Sequence, residues 1–289
     1  MTDLPQVLWY GVMNGSAYVL FAIGLALGFG VMRVMNFAHG ELYMLGGMGI
    51  FVFTHYLGLN LLVAAAVSIF LVAMFGIVVN RVAVLPVYRV SILAPMISTL
   101  ALSLMLLYGF EAIFTTTAKL IRSPLTKVWF VGGVHFSAIG LTVVLTAALV
   151  TAGLYLFLQR TRMGKQMRAT VQNITGARLV GINTTRVYDY TFFIVAGLAA
   201  LGGILMALLH TANTAMGQPA LILGFVIVIV AGMGNLVGAT VVALIVGIIE
   251  SVLSFYAVAE YTQAFLYLIL VIVLLVRPRG LFAARGDRS

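Results

Sequence analysis

Residues 4–32 contain no charged side chain, and neither do residues 42–80. A bilayer core offers no water to backbone N–H and C=O groups, so segments of this kind must satisfy those groups internally. The runs are continuous, as in "ALIVGII" and "LILVIVLLV", rather than alternating as the strands of a membrane barrel do. They therefore read as helices. The rest of the sequence agrees: 63% of its 289 residues are hydrophobic and 8% charged, against about 25% charged in soluble domains. The only early charge is Asp3, and the first apolar run exceeds the roughly 7–15 residues of a signal core, so it should persist as a helix. The absence of cysteine excludes disulfide and thiol chemistry.

At roughly 20 residues per span, residues 4–32 make one crossing. Residues 42–80 make two, divided by the turn signal at Gly58 and Asn60. Arg81, Pro86 and Arg89 form a short loop before a span over 91–112. Residues 113–138, with Lys119, Arg122, Pro124, Lys127, Gly132 and Gly133, form the longest loop on one side, followed by a span over 139–158. Residues 160–187 carry Arg160, Arg162, Lys165, Arg168, Arg178 and Arg186 and no acid, which places them in the cytoplasm. The tail, with Arg277, Arg279, Arg285 and Arg288, is cytoplasmic by the same rule. The crossings between those two anchors must be even in number. Three full spans are evident, at 188–210, 235–257 and 260–276. The short segment "ALILGFVIVIVAGMG" (220–234) must therefore cross as an interrupted helix, a feature that points to a translocation pathway.

The expected architecture is all-α: one polytopic transmembrane helical bundle over residues 1–289, with about eight or nine crossings, N-terminus out and C-terminus in. Only two Gly-rich junctions, near 40–49 and 232–238, suggest any repeat. Glycine and alanine at four-residue spacing (Gly11/Gly15, Gly24/Gly28, Gly234/Gly238) predict close helix packing.

Catalytic signals are missing. No G-x-x-x-x-G-K-[ST] loop is present, so ATP use would reside on another chain. His39, His55, His135 and His210 lack metal-ligand spacing. The exceptional polar residues are Asn36, His39 and Glu41, at an inner junction between apolar runs. Asn36 is a good helix cap, and Glu41 suits a helix N-terminus; alternatively, the segment folds back into the membrane. Glu111 and Glu250 fall near the outer ends of their helices and read as interfacial or packing carboxylates, or as contacts to something on the outer face. Within the basic loop, Ala177, Leu179, Val180 and Ile182 form an apolar patch between turn residues that calls for a cytosolic protein partner.

Taken together, "VMNFAHGELYMLGGM", "RATVQNITGARLVGINTTRV", "GMGNLVGATVVALIVGIIES" and the ending "RPRGLF" resemble the inner-membrane permeases of branched-chain amino acid ABC transporters. The four matches occur in order over nearly the whole chain. The resemblance implies a multi-pass permease subunit of the bacterial inner membrane, not itself an enzyme, that moves branched-chain or related amino acids. It implies a second, similar permease subunit, two cytosolic ATPase subunits that bind ATP and magnesium, and a periplasmic substrate-binding protein. This chain would carry no cofactor and bind no nucleic acid. Carried over, Asn36, His39, Gly40, Glu41, Gly232, Gly234 and Asn235 fall on the translocation pathway. Ala177, Leu179, Gly181, Ile182 and Asn183 fall in the ATPase-coupling loop. The family includes permeases for urea and short amides. From another class, an ion-coupled secondary transporter using His39 and Glu41, or a membrane scaffold for cytosolic enzymes, would also fit the residues.

Overall fold

The computed structural model describes residues 4–88, 90, 91, 93–256, 261–277 and 280–282. Arg89, Arg279, Arg285 and Arg288, and part of the "RPRGLF" ending, lie outside the described residues. Among those described, the chain forms eleven α-helices and one small hairpin. They are α1 (Leu4–Met32), α2 (His39–His55), α3 (Leu61–Val79), α4 (Ala94–Phe114), α5 (Ala138–Arg160), α6 (Arg162–Gln172), α7 (Ile174–Leu179), α8 (Thr184–Leu209), α9 (Gly217–Ala231), α10 (Leu236–Tyr256) and α11 (Thr262–Val276). The hairpin pairs β1 (Val128–Val131) with β2 (Val134–Ser137) in antiparallel register. Six helices are long and apolar enough to cross a membrane: α1, α3 with its extension to Val84, α4, α5, α8 and α10. The protein is thus a multi-pass transmembrane bundle. Helices α2, α9 and α11 are shorter, at 17, 15 and 15 residues.

Local chemistry explains the boundaries. Gly58 takes φ +63 in the turn after α2, and the side chain of Asn60 caps α3 by accepting from the Val63 N–H. The stretch 160–187 is not a loop. Thr161, Asn173 and Asn183 each accept a backbone N–H three residues on, and so start α6, α7 and α8 in turn. A π-helical turn, Asn80–Val84, ends α3.

The bundle has two chemically different ends. One carries the hairpin, with Lys119, Arg122 and Lys127. The other carries α6 and α7 and the remaining described cations, from Arg33 and Arg81 to Arg277. They are called below the hairpin end and the basic end.

Packing reveals an inverted repeat. Helix α1 packs chiefly on α10, and α8 chiefly on α3; α2 packs on α8, and α9 on α1; α2 meets α4, and α9 meets α11. Exchanging α1–α4 with α8–α11 therefore maps the contacts onto themselves. Small residues make the matching pairs possible. A β-carbon on Gly11 would lie 2.6 Å from the Ile248 Cα, and one on Gly76 would lie 2.5 Å from the Ala196 Cβ. In lipid such close backbone approach replaces the hydrophobic effect as the source of helix association. The repeat also corrects the expected pairing of Gly-rich junctions: the counterpart of 40–49 is 217–226, not 232–238. Gly40 matches Gly217, Glu41 matches Gln218, and Gly47 matches Gly224.

Candidate functional site: two helix starts inside the bundle

Beyond Met32 the chain reverses at Arg33, a non-glycine residue with φ +56. It then runs without helical structure back into the bundle before α2 begins at His39. The depth follows from one contact. The His39 Nε2 lies 3.2 Å from the Phe21 carbonyl oxygen. A carbonyl only accepts, so the Nε2 carries the proton. Phe21 precedes the end of α1 by eleven residues, so the imidazole sits about 16 Å in from the basic end at 1.5 Å rise per residue. Of the two sequence readings of this junction, folding back is therefore the geometry found. The capping reading is not the geometry found: the N-cap of α2 is Ala38, without a side-chain cap, and the Asn36 side chain instead accepts from the Ala38 N–H at 3.0 Å, turning the chain just before the helix. The imidazole rests against the Phe21 ring at 4.5 Å and over Gly24, where a β-carbon would come within 3.1 Å of its Cε1.

Helix α9 begins at the same height. After α8 ends at the hairpin end, residues 210–216 fold inward and α9 starts at Gly217. The contact there is reciprocal. A β-carbon on Gly40 would lie 2.5 Å from the Gly217 oxygen, and one on Gly217 would lie 2.5 Å from the Gly40 oxygen. Self-matching contact of equivalent residues is what a two-fold axis produces. The next residues repeat it: Gln218 Nε2 donates to the Glu41 Oε1 at 3.0 Å. Ser103 of α4 donates to the same oxygen at 3.1 Å. Thr99, one turn earlier on α4, accepts from the Phe37 N–H at 3.2 Å.

Glu41 is fully buried and lies between the N-terminal ends of two helices, its own and α9. Both ends carry partial positive charge, which favours a carboxylate. Its Oε2 has no partner, nor have the Asn36 Nδ2 and the His39 Nδ1. One acceptor pair on the carboxylate, one amide donor and one ring nitrogen thus stand ready for hydrogen bonds inside the bundle. Helix α4 covers Glu41 and the 36–38 turn lightly, whereas His39 packs against α1. Helix α4 buries only Pro95, Thr99 and Ser103, while Ile97, Met105 and Ile113 are exposed.

The structure brings together Asn36, His39, Gly40 and Glu41. It sets Gly232, Gly234 and Asn235 apart, at the α9–α10 turn of the basic end. Gly232 and Gly234 adopt φ +94 and +85, and Gly234 lies against Gly30. Asn235 caps α10 through the Gly238 N–H and donates to the Phe282 oxygen. These three line a cavity of about 1030 Å³ with Arg168 and Gln172, which shares Ile229 and Met233 with the small cavity lined by Asn36 and His39. Residues 177–183 form the surface of the basic end. Ala177 is buried and Ile182 half-buried, so both turn inward. The apolar patch read from the sequence therefore reduces to Leu179 and Val180, 84% and 76% exposed. Gly181 makes the turn with φ +84. Asn183 starts α8.

Ser103, Thr99 and Gln218 are missing from the sequence-derived set. A signal for Gln218 was present: Gly-Gln with glycine seven positions after the first (217, 218, 224) repeats Gly-Glu at 40, 41 and 47. Among the described residues no group of acids and histidines could hold a metal ion.

Residues 7–274 match the family described as branched-chain amino acid transport system, permease component. The high-affinity branched-chain amino acid transport system permease protein LivH of Salmonella typhimurium is 33% identical over 96% of this chain and 94% of its own length. The corresponding permease protein BraD of Pseudomonas aeruginosa is 31% identical over 96% of this chain and 97% of its own length. A chain in the solved structure of PsaBC from Streptococcus pneumoniae in complex with Fab shares the fold, with a TM-score of 0.54 over 93% of this chain and 91% of that one at 11% identity.

Proposed function

The chain belongs to the permease family of branched-chain amino acid transport systems, and from that premise we propose that it is the membrane subunit of an ABC importer that carries branched-chain amino acids inward. The observation that supports a translocating role is the pair of helices starting inside the bundle. Unsatisfied polar groups at such a depth are costly unless they serve a path. On this reading Asn36, His39 and Glu41 face the moving substrate, and α4 shifts to uncover Glu41.

The hairpin end then faces outward and the basic end inward, which agrees with the excess of Lys and Arg at the basic end. The membrane is the bacterial inner membrane. Leu179 and Val180, flanked by Arg178 and Arg186, dock onto a cytosolic ATPase subunit that hydrolyses ATP with magnesium. Movement there reaches α8 through the Gly181–Asn183 turn. Gly232, Gly234 and Asn235 line the inner mouth. A second permease subunit covers exposed faces such as that of α4, and a periplasmic binding protein delivers the substrate.

The test is uptake by proteoliposomes holding the permease, its partner permease, the ATPase subunits and the binding protein. Labelled leucine should accumulate only with internal ATP and should be indifferent to a proton uncoupler. Uptake abolished by the uncoupler at constant ATP would instead identify an ion-coupled transporter. Urea or acetamide uptake without leucine uptake would move the substrate class. Glu41→Gln, close in shape, should assemble normally and slow uptake.

A further inference from the structure

The inverted repeat gives the bundle two equivalent corners, and their chemistry differs. At the basic end, where α8 begins and α3 ends, the carboxylate is Asp189. It is fully engaged: Asn80 Nδ2 donates to Oδ1 at 2.9 Å, and Arg81 donates through Nε and Nη2 to Oδ2 at 3.1 and 2.8 Å. At the hairpin end, where α1 begins and α10 ends, the carboxylate is Glu250. Its Oε2 is buried with no partner. No Lys or Arg occurs between Arg186 and Arg277, or before Arg33, so the helices that form this corner supply no cation.

In place of a guanidinium, this corner holds a cavity of about 610 Å³, within the range of small-molecule sites. The Tyr18 hydroxyl lies within hydrogen-bond reach of the Glu250 carboxylate, and Tyr10, Asn14, His210, Ser254 and Gln263 contribute the rest of the polar wall. Thr262 also lines it, and its Oγ1 is buried without a partner. The His210 Nε2 and the Asn14 Oδ1 are 3.1 Å apart. Burial lowers the pKa of His210, so the ring is neutral at neutral pH and does not neutralise Glu250. A carboxylate at the edge of a membrane bundle, without a cation among the described residues and beside an open polar cavity, calls for a positive charge from outside.

We propose that the Glu250 cavity binds a primary ammonium group, supplied by the amino end of the amino acid before it moves deeper into the bundle. Glu250 pairs with the ammonium, while the hydroxyl oxygens of Thr262 and Ser254 can accept from its remaining N–H groups. The identity of the ligand rests on the transport reading above. The site itself rests on a carboxylate with one unpartnered oxygen and no cation, and on the cavity. The same chemistry would accept a small alkali cation, and the test separates the two.

Full-length protein in lipid nanodiscs is titrated by saturation-transfer NMR with leucine, with isopentylamine (leucine without its carboxylate) and with 4-methylpentanoate (leucine without its amine). Leucine and isopentylamine should bind and 4-methylpentanoate should not. Glu250→Gln should weaken both amines by about tenfold or more, since truncating one partner of a buried charge pair is costly. Ser254→Lys, one turn along α10, places a tethered ammonium beside Glu250. It should abolish amine binding and raise the melting temperature, as the filled Asp189 corner suggests. If Glu250→Gln does not fold, Ser254→Lys alone decides. The inference is overturned by equal binding of the deaminated analogue, or by unchanged amine affinity in either folded variant. Displacement of the amines by sodium but not by bulky tetraethylammonium would also overturn it, by making the cavity an alkali-ion site. Uptake by the wild-type assembly is measured in parallel. Leucine transport without amine binding removes this inference alone, whereas no transport of any amino acid removes the premise.

Discussion

Gly40→Ala tests the meeting of the two helix starts most directly. The new β-carbon would lie 2.5 Å from the Gly217 oxygen and 3.0 Å from the Leu221 Cβ. Ordinary contact begins near 3.4 Å, so α9 must retreat by roughly 1 Å at its first turn. Overpacking of this kind costs about 1–3 kcal/mol. The retreat also stretches the Gln218–Glu41 hydrogen bond, and bonds to a charged group are worth about 1.5–3 kcal/mol. Opposing this, alanine is favoured over glycine within a helix by about 1 kcal/mol. Destabilisation wins, by about 1.5–5 kcal/mol from these terms. The control is Gly153→Ala in α5. It meets nothing within 4 Å, so only the propensity gain applies and its melting temperature should rise or stay level. Melting in detergent, followed by size-exclusion fluorescence, reads both variants, and leucine uptake reads the first at a temperature where it remains folded. Gly40→Ala matching wild type in both measurements would refute the close approach at the axis. A parallel Gly217→Ala should reproduce the loss, because the contact is reciprocal.

Three further outcomes follow from other parts of the bundle. Leu179→Asp with Val180→Asp alters residues that touch almost nothing in this chain, so melting should change by less than about 0.5 kcal/mol; co-purification of the ATPase subunits should be lost, and its retention would remove the docking role. Arg81→Ala should lower the melting temperature more than Asp189→Ala, because it leaves the buried Asp189 carboxylate without its cation, at about 3–5 kcal/mol, whereas Asp189→Ala lets the exposed Arg81 turn to solvent and strands only the Asn80 amide, at about 1–3 kcal/mol; equal losses would contradict this. The third concerns pH. Burial holds the pKa of His210 below the ordinary value of 6.5, so the unfolded chain binds the proton more readily. The stability this group allows is therefore present above about pH 6.5 and falls as pH drops toward the folded value. A melting scan from about pH 8 to 5 should show a steeper fall for wild type than for His210→Gln, and identical slopes would exclude the assignment.

What the sequence reveals and what it hides divide along a physical line. The long helices α1, α3, α5 and α8 were legible because one segment at a time decides whether charge is tolerated in lipid. The capped turns at 161, 173 and 183 were legible in their residue types, yet the stretch they organise reads as a polar loop, since its helices are short and amphipathic. Depth was not legible. The segment 33–38 could end at the surface or fold inward with the same residues. The choice is made by contacts between distant parts of the chain: His39 on the Phe21 carbonyl, Gly40 on Gly217, Glu41 with Gln218. Ser103 and Thr99 were hidden for a related reason. A hydroxyl in an apolar helix commonly bonds back to its own preceding turn, and Thr99 does so with the Pro95 carbonyl at 2.8 Å. The same oxygen also accepts from the Phe37 N–H. The inverted repeat joins these points. In an inverted pair, each unwound segment meets the other at the axis, so a glycine in one half requires a glycine in the other. Gly40 with Gly217 is therefore a tertiary signal, and the glycines seven positions on, Gly47 and Gly224, mark the same spacing in each half. It became readable only when the second short helix was aligned on its start at 217 rather than on the glycines that end it. The acid–amide pair that follows those glycines then marks the axis itself: Glu41 and Gln218 occupy equivalent places, and their difference is what leaves a carboxylate at the centre of the bundle.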